Sequence, residues 1–463
     1  MANKNRFSVL ILAAGAGTRM KSSLPKVLHP VCGVPMVLRV METASAVRPS
    51  SVGVIVGHGA RQVAAALGKR RGVSMIVQKS RKGSGHAVRC ASRWLARSGH
   101  GDVLVLAGDA PLIRSGTLAR LRERHIADGN SATVLSALTD RPFGYGRILP
   151  DAPGRVSRII EEKDASPEER EIREINSGVY FFRVRDLLEV LPRLGNRNAK
   201  KEYYLTDAIG LLNALGRRVG VHRLEDRGEE EILGINSRAD LAAAEEIIGD
   251  RIKRKWMESG VTIRNPGTVT IAEDVRIEPD AVILPGTILL GRTRLGRGCR
   301  VGPYACVEDS DIGAGTEVRA SFLYGVKVLP GAKIGPYAHL RPGSRVGRNA
   351  RIGNFTEVKN SDIGDETKVS HLSYVGDSRF GSRVNVGAGA ITCNFDGKRK
   401  FRTVVGSGSF IGSNVNLVAP VAIGAGAVVG AGSTITRNVP ANALALERTG
   451  QVIKPGWTKK RER

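Results

Sequence analysis

From Ile271 onward an aliphatic residue returns at every sixth position. One unbroken run is Ile271, Ile277, Ile283, Leu289, Leu295, Val301 and Val307; a second is Val328, Ile334, Leu340, Val346, Ile352 and Val358. A third is Val405, Ile411, Leu417, Ile423, Val429 and Ile435, and between the runs the step survives one-residue slips at 312–318 and 363–375. A period of six is neither 3.6 nor 2, so neither one long helix nor simple strand alternation generates it. Gly follows the aliphatic residue in Ile334-Gly335, Ile352-Gly353, Ile411-Gly412 and Ile423-Gly424. Short strands joined by tight corners, each turn stacking its apolar residues on the next, satisfy both features. The pattern predicts a parallel β-helix. After Val386 the step is lost through 387–404, which predicts an exposed loop carrying Thr392-Cys393-Asn394-Phe395-Asp396-Gly397-Lys398. Loops on repeats usually carry function.

The first half reads differently. Strand-like runs at 7–14, 51–56, 73–77, 103–106 and 132–138 alternate with helix-like stretches such as 87–95 and 115–126. That alternation predicts an α/β domain with a mostly parallel sheet over 1–238. Ile248, Ile252 and Trp256 recur at i, i+4 and i+8, so 239–259 reads as a connecting helix. The β-helix domain is expected over 260–463, ending in an irregular basic tail.

Composition narrows the class. A chain of 463 residues, 41% hydrophobic and 25% charged, suits two or three soluble domains, and no apolar run is long enough to span a bilayer. The start lacks a signal-peptide pattern, and the 5 cysteines show no ligand spacing; a cytoplasmic protein with reduced thiols is expected. The net charge of +27 fits either nucleic-acid binding or sites for phosphorylated ligands. The basic residues are dispersed, with short clusters only at 251–255 and 459–463. Aromatics are 5%, so no nucleic-acid partner is expected.

Candidate chemistry begins at Leu12-Ala13-Ala14-Gly15-Ala16-Gly17-Thr18-Arg19-Met20. It is no Walker A loop, lacking Gly-Lys-Ser/Thr, and no dinucleotide fingerprint, since Arg19-Met20 replaces the third Gly. A strand followed by small residues still lets backbone N–H groups approach a phosphate chain, and Arg19 and Lys26 add fixed positive charge. Asp109, just past a predicted strand, is a natural oxygen ligand for Mg²⁺, although a turn-forming role before Pro111 explains it too.

These residues carry a resemblance. The opening segment with Pro25-Lys26-Val27-Leu28 resembles sugar-phosphate nucleotidyltransferases, as do Gln78 with Gly83-Ser84-Gly85-His86-Ala87, Gly108-Asp109-Ala110-Pro111-Leu112 and Gly144-Tyr145-Gly146-Arg147-Ile148. Glu161, Glu174-Ile175-Asn176-Ser177-Gly178 and Gly234-Ile235-Asn236 continue the match in chain order. Joined to a hexapeptide β-helix, the chain resembles over nearly its full length the bacterial bifunctional N-acetylglucosamine-1-phosphate uridyltransferase/glucosamine-1-phosphate acetyltransferase family. The resemblance implies a Rossmann-like nucleotidyltransferase domain and a left-handed parallel β-helix joined by a long helix. It implies a homotrimer, Mg²⁺, and acetyl-CoA and UTP as co-substrates. It assigns UTP and UDP-N-acetylglucosamine binding to Leu12, Ala13, Ala14, Gly15, Lys26, Gln78, Gly83, Ser84, Ala107, Gly108 and Asp109, with Gly146, Glu161 and Asn176 holding the sugar. Asp109 and Asn236 would be the metal ligands, and Arg19 and Lys26 would stabilise the phosphates. Ala16 stands where the family often has a basic residue, and Ala107 where it often has an aromatic one.

In the second half the resemblance makes His371 a general base with Glu357 behind it. Deprotonating an amine as it attacks a thioester suits an imidazole. Glu357, fourteen residues earlier, lies a little less than one coil away if a coil is about three hexapeptides, so the two are expected to meet on neighbouring coils. Arg341, Lys359, Tyr374 and Asn385 are assigned to glucosamine-1-phosphate. Ala388, Asn394, Phe395, Ser413, Ala431 and Arg448 are assigned to acetyl-CoA, with Phe395 replacing the family's Tyr. Arg341 and Lys359 taken singly would pass for a solvated face. Two other readings compete: a nucleotidyltransferase for another sugar with a non-catalytic trimerising β-helix, and a non-catalytic scaffold. His371, Asn385 and the 387–404 loop argue against the first; Arg19, Lys26, Asp109 and Asn236 together argue against the second.

Overall fold

A computed structural model of the protein describes residues 6–225 and 228–458, so the basic cluster 459–463 lies outside the described residues. Two compact units emerge, Met1–Ile248 and Gly249–Arg463. The helix Arg238–Glu258 begins in the first and ends in the second.

The first unit is built on a sheet whose middle strand, Phe7–Ala13, pairs in parallel with Ser51–Val56 on one side and Asp102–Ala107 on the other. Val9, Leu10 and Ile11 are fully buried, because both faces of this strand are covered by packed elements. The sheet is mixed rather than mostly parallel. Glu174–Arg183 runs antiparallel between Asp102–Ala107 and Ala132–Leu138, and the hairpin Arg147–Pro150 with Val156–Ile160 adds further antiparallel pairs. The stretch expected as one helix over 87–95 is two, Ser84–Cys90 and Ser92–Ser98, broken at Ala91.

The second unit is a left-handed prism of three parallel sheets, with 11, 10 and 9 strands among the described residues. Each inward aliphatic residue lies above its counterpart one coil earlier, as in Val346 over Val328 and Val358 over Leu340. All four are at most 1% exposed, and burying each such side chain contributes about 1.5–3 kcal/mol. Ile252 and Trp256 of the long helix pack against this same core, while Lys253 Nζ donates to the Pro266 carbonyl at 2.8 Å.

The loop is shorter than the hydrophobic pattern predicts. Ile391–Cys393 is a regular strand whose inward residue is Thr392, 3% exposed and paired with Leu417. The coil leaves its path only at 394–402. Accordingly, Ser378 pairs with Thr403, whereas one coil earlier Asp362 pairs with Arg379.

Candidate active sites

In the first unit the site forms at the carboxyl ends of the parallel strands, where an open α/β sheet leaves a crevice. Leu12 and Ala13 end the central strand, Ala14 is buried and Gly15 is exposed beyond it. Gly17 has φ 63°, and a Cβ there would collide with Cβ of Lys26, so this position favours glycine twice over. Arg19 is exposed on the turn Thr18–Met20. The amide of Gly108 donates to the Leu12 carbonyl at 2.9 Å, drawing the segment 107–109 against the first loop.

Three segments distant in sequence then meet. Lys26, 8% exposed, forms an ion pair with Asp109, and its Nζ donates to Asn236 Oδ1 at 2.7 Å. Ile235 N donates to the Asp109 carbonyl at 3.0 Å, and Asp240 Oδ2 accepts from the amides of Asn236 and Ser237, both at 2.8 Å. The two oxygen ligands expected for a metal therefore converge on one point, where a lysine cation sits. Hard oxygen donors suit Mg²⁺. Among the described residues no group of three or more His, Cys, Asp or Glu is placed to hold a metal, so an ion at Asp109 and Asn236 would complete its shell with phosphate oxygens and water.

Among the residues expected to hold the sugar, Asn176 N donates to the Gly146 carbonyl at 2.9 Å, and Asn176 Nδ2 donates to the Tyr180 hydroxyl at 2.7 Å. Glu161 lines a cavity of about 620 Å³ with Asp164, Asn198, Tyr204, Thr206 and Asp207. Burial raises the Glu161 pKa, partly offset by the Lys200 charge and by the Thr206 hydroxyl, which donates to Oε1 at 3.1 Å. Burial, followed by repulsion from Glu161 and Asp164, pushes Asp207 up to about 6. Sequence reasoning missed Thr206 and Asp207; their only signal was a polar pair opening an otherwise apolar helix. Gln78 and the 83–84 backbone form a separate, tightly bonded cluster, with Ser84 Oγ accepting from Leu205 N at 3.0 Å.

In the prism, His371, Ala388, Ser413 and Ala431 occupy the same corner of successive coils. Backbone bonds from Asn414 N to the Ala388 carbonyl (2.7 Å) and from Gly432 N to the Ser413 carbonyl (2.8 Å) tie these corners together. Arg448 follows the last strand, Leu444–Ala445, beside Glu447, whose amide donates to Ser433 Oγ at 3.1 Å. Around the next face and its far corner lie Glu357, Tyr374, Arg341 and Lys359. Asn385 stands one coil later on the face that leads into the His371 corner, paired with Lys368.

One pairing differs from expectation. His371 is exposed, and its Nδ1 lies 2.6 Å from Asn354 Oδ1, whereas Glu357 Oε1 accepts from Arg341 at 3.0 Å. Asn354, not Glu357, is therefore the side chain bonded to the imidazole. The phase slips are the reason: one coil here spans seventeen residues, so strand register sets Asn354 against His371 and Glu357 against Tyr374. An amide oxygen can only accept, so Nδ1 donates, and in the neutral ring Nε2 then carries the free lone pair.

The 394–402 loop supplies a cation that the sequence reading did not single out. Lys400 lies beside Lys359 and, followed in effect by desolvation and then by Arg341, holds the Lys359 pKa below the ordinary lysine value. Asp377 faces them. Its burial would raise its pKa, but hydrogen bonds from Asn360 and Asn394 and the Lys400 and Lys359 charges outweigh this and lower it. Asn394 is 7% exposed with its Nδ2 bonded to Asp377, while Phe395 is 59% exposed. Arg341, Lys359 and Lys400 thus gather three cations at one prism corner, an arrangement suited to an anion.

The chain matches the family described as the MobA-like NTP transferase domain over residues 9–263, and the bacterial transferase hexapeptide family over 325–360 and 402–437. It is 48% identical over 452 residues to a protein of Caldanaerobacter subterraneus subsp. tengcongensis named bifunctional protein GlmU, covering 98% of this chain and 97% of that one. Proteins of the same name from Desulfitobacterium hafniense and Halalkalibacterium halodurans are each 46% identical over 457 residues, covering 99% of both chains in each case.

Proposed function

We propose two reactions for this chain, starting from the fact that it belongs to the family of bifunctional GlmU proteins. The prism transfers acetyl from acetyl-CoA to the amine of glucosamine-1-phosphate. The α/β half then couples N-acetylglucosamine-1-phosphate to UTP, giving UDP-N-acetylglucosamine, an envelope polysaccharide precursor, and pyrophosphate. The alternative of a merely trimerising β-helix is not favoured, because the bifunctional relatives match along both halves. The observation that carries the reading is a pair of charged clusters, one of Lys26, Asp109 and Asn236 in the α/β half and one of Arg341, Lys359 and Lys400 on the prism, one face away from the His371 corner.

In the prism reaction, Arg341, Lys359 and Lys400 hold the sugar phosphate, with Tyr374 and Asn385 against the ring. Nε2 of His371 takes the proton as the amine attacks the thioester carbonyl, and coenzyme A leaves as the thiol. Ala388, Asn394, Phe395, Ser413, Ala431 and Arg448 form the acetyl-CoA path. In the α/β half a phosphate oxygen of the sugar attacks the α-phosphorus of UTP. Alignment and charge neutralisation by Arg19, Lys26 and the 12–15 backbone do most of the work. Asp109 and Asn236 would hold Mg²⁺, which supplies further charge neutralisation on the triphosphate.

The chain works as a cytoplasmic homotrimer in this reading. Its support is that His371 is exposed in a single chain, and that Tyr304, Tyr337, Phe355 and Leu372, each at least 58% exposed, line the same prism corner. Such a ladder is covered well by another copy. Among the described residues no helix is long and apolar enough to cross a membrane. Light scattering should give a mass three times the 49.5 kDa chain; a monomer retaining acetyl transfer would refute a shared site.

Purified protein should release pyrophosphate from UTP with N-acetylglucosamine-1-phosphate, and free thiol from acetyl-CoA with glucosamine-1-phosphate. Failure of either reaction overturns the corresponding half. Gly17→Ala should slow pyrophosphate release roughly tenfold, since the added Cβ strains a left-handed residue and displaces Lys26, and leave thiol release unchanged. Unaltered pyrophosphate release would remove Lys26 placement from the mechanism.

A further inference from the structure

We propose that His86 is a positioning residue that sets nucleobase choice, by fixing which end of the Gln78 amide faces the ligand. The proposal rests on the reading of the α/β half as UTP-dependent, with Gln78 and the 83–84 backbone meeting the base. Gln78 directly follows the strand Val73–Val77 and is 5% exposed. Its Nε2 lies 3.2 Å from the Gly83 carbonyl oxygen and 2.9 Å from His86 Nδ1. A carbonyl oxygen only accepts, so the end of the amide that meets Gly83 is its nitrogen. That nitrogen has two hydrogens and no lone pair to offer, so His86 Nδ1 accepts and the ring proton sits on Nε2. Both amide hydrogens are then spent inside the protein. Oε1 is the only polar side-chain atom left for a ligand.

An acceptor at this place favours a base whose ring N3 carries hydrogen, as in uracil. It repels a base whose N3 presents a lone pair, as in cytosine. Discrimination of this kind needs an amide that cannot turn over, because a flipped amide would donate to cytosine as readily as it now accepts from uracil. The surroundings prevent turning. Gln78 N donates to the Val56 carbonyl at 2.8 Å, and Gly85 N to the Tyr203 carbonyl at 2.8 Å. Gly83 has φ 98°, and a Cβ on it would lie 2.5 Å from that same Tyr203 carbonyl, which fixes the acceptor under Nε2. His86 itself is flanked by the Tyr203 ring, 6.4 Å between centroids, and by Cys90 Sγ at 3.9 Å from Nδ1. Burial, then the Arg89 and Lys82 charges, lower its pKa, which keeps the Nδ1 lone pair available.

The test uses the full-length enzyme and compares kcat/KM for UTP and CTP in the parent, His86→Ala and His86→Asn. In His86→Ala one of the two acceptors that hold the amide is lost and the Gly83 carbonyl alone resists its turning, so the UTP/CTP ratio should fall at least about tenfold, chiefly through KM for UTP. Asn places an acceptor oxygen where Nδ1 stood and should restore the ratio to within about threefold of the parent. A ratio from one preparation does not depend on how much of it is folded, so poor folding cannot imitate the effect. An unchanged ratio in His86→Ala, or an equal loss in both variants, overturns the proposal. A parent enzyme that turns over no UTP would instead refute the nucleotide reading on which it rests.

Discussion

Replacing His371 by Ala should lower thiol release from acetyl-CoA roughly 10³-fold, the range in which a positioned general base acts, while pyrophosphate release from UTP stays within about twofold of the parent. The selectivity follows from the fold: His371 lies on an exposed corner of the prism and belongs to the second compact unit, so its truncation opens no cavity there. The hydrogen bond to Asn354 makes a second, graded expectation. With Oδ1 gone, Nδ1 no longer has to carry the proton and the imidazole can rotate. Asn354→Ala should therefore cost about tenfold in acetyl transfer, and Asn354→Asp, which still accepts from Nδ1, should cost less. Steady-state assays of both reactions on each variant decide the matter. Full acetyl transfer in His371→Ala would remove the base from the mechanism. Loss of both reactions in a correctly assembled His371→Ala protein would show that the two sites are not independent.

The prism was readable from sequence because its core admits only one kind of information, an aliphatic residue every sixth position. What misled the reading was a residue that satisfies the core by other means. Thr392 points inward, where its hydroxyl accepts from Gly376 N at 2.8 Å and reaches the Gly376 carbonyl at 3.3 Å. A search for aliphatic periodicity sees a gap there and lengthens the loop by a strand. The same limitation misplaced the partner of His371. Register along a β-helix depends on where single residues are dropped at corners, and a slip of one moves every facing pair; Asn354 becomes visible only once its coil is known to span seventeen residues. In the α/β half the motifs named Lys26, Asp109 and Asn236, but nothing in their spacing said that they converge. That is a property of sheet order, which brings Phe7–Ala13 beside Asp102–Ala107, and of the bond from Ile235 to the Asp109 carbonyl. Lys400 escaped notice for a similar reason: its neighbour Lys359 belongs to a strand two coils earlier.

Asp109→Asn should reduce pyrophosphate release about 10³-fold, comparable to losing a principal electrostatic stabiliser of charge at the reacting centre, with acetyl transfer unaffected. The substitution is chosen because it keeps shape and an acceptor oxygen for Lys26, so it removes the charge without emptying the site. Asp109→Ala removes both. Lys26, 8% exposed and paired with this carboxylate, would then keep only Asn236 as a side-chain acceptor. A nearly buried ammonium short of a partner costs about 1–3 kcal/mol, so Asp109→Ala should melt lower than Asp109→Asn while being no less impaired in catalysis. The comparison separates two roles: the carboxylate pairs with Lys26, and in the proposed reaction its oxygens would hold Mg²⁺. A metal held by Asp109 and Asn236 would compete with the Lys26 ammonium that bonds both of them, since the two cations repel. Mg²⁺ titration by pyrophosphate release should accordingly show a weakened apparent affinity in Asp109→Asn and a tightened one in Lys26→Ala, even as both lose turnover. Pyrophosphate release within about tenfold of the parent in Asp109→Asn would exclude the carboxylate charge from the reaction and leave Asp109 as a brace for Lys26 alone.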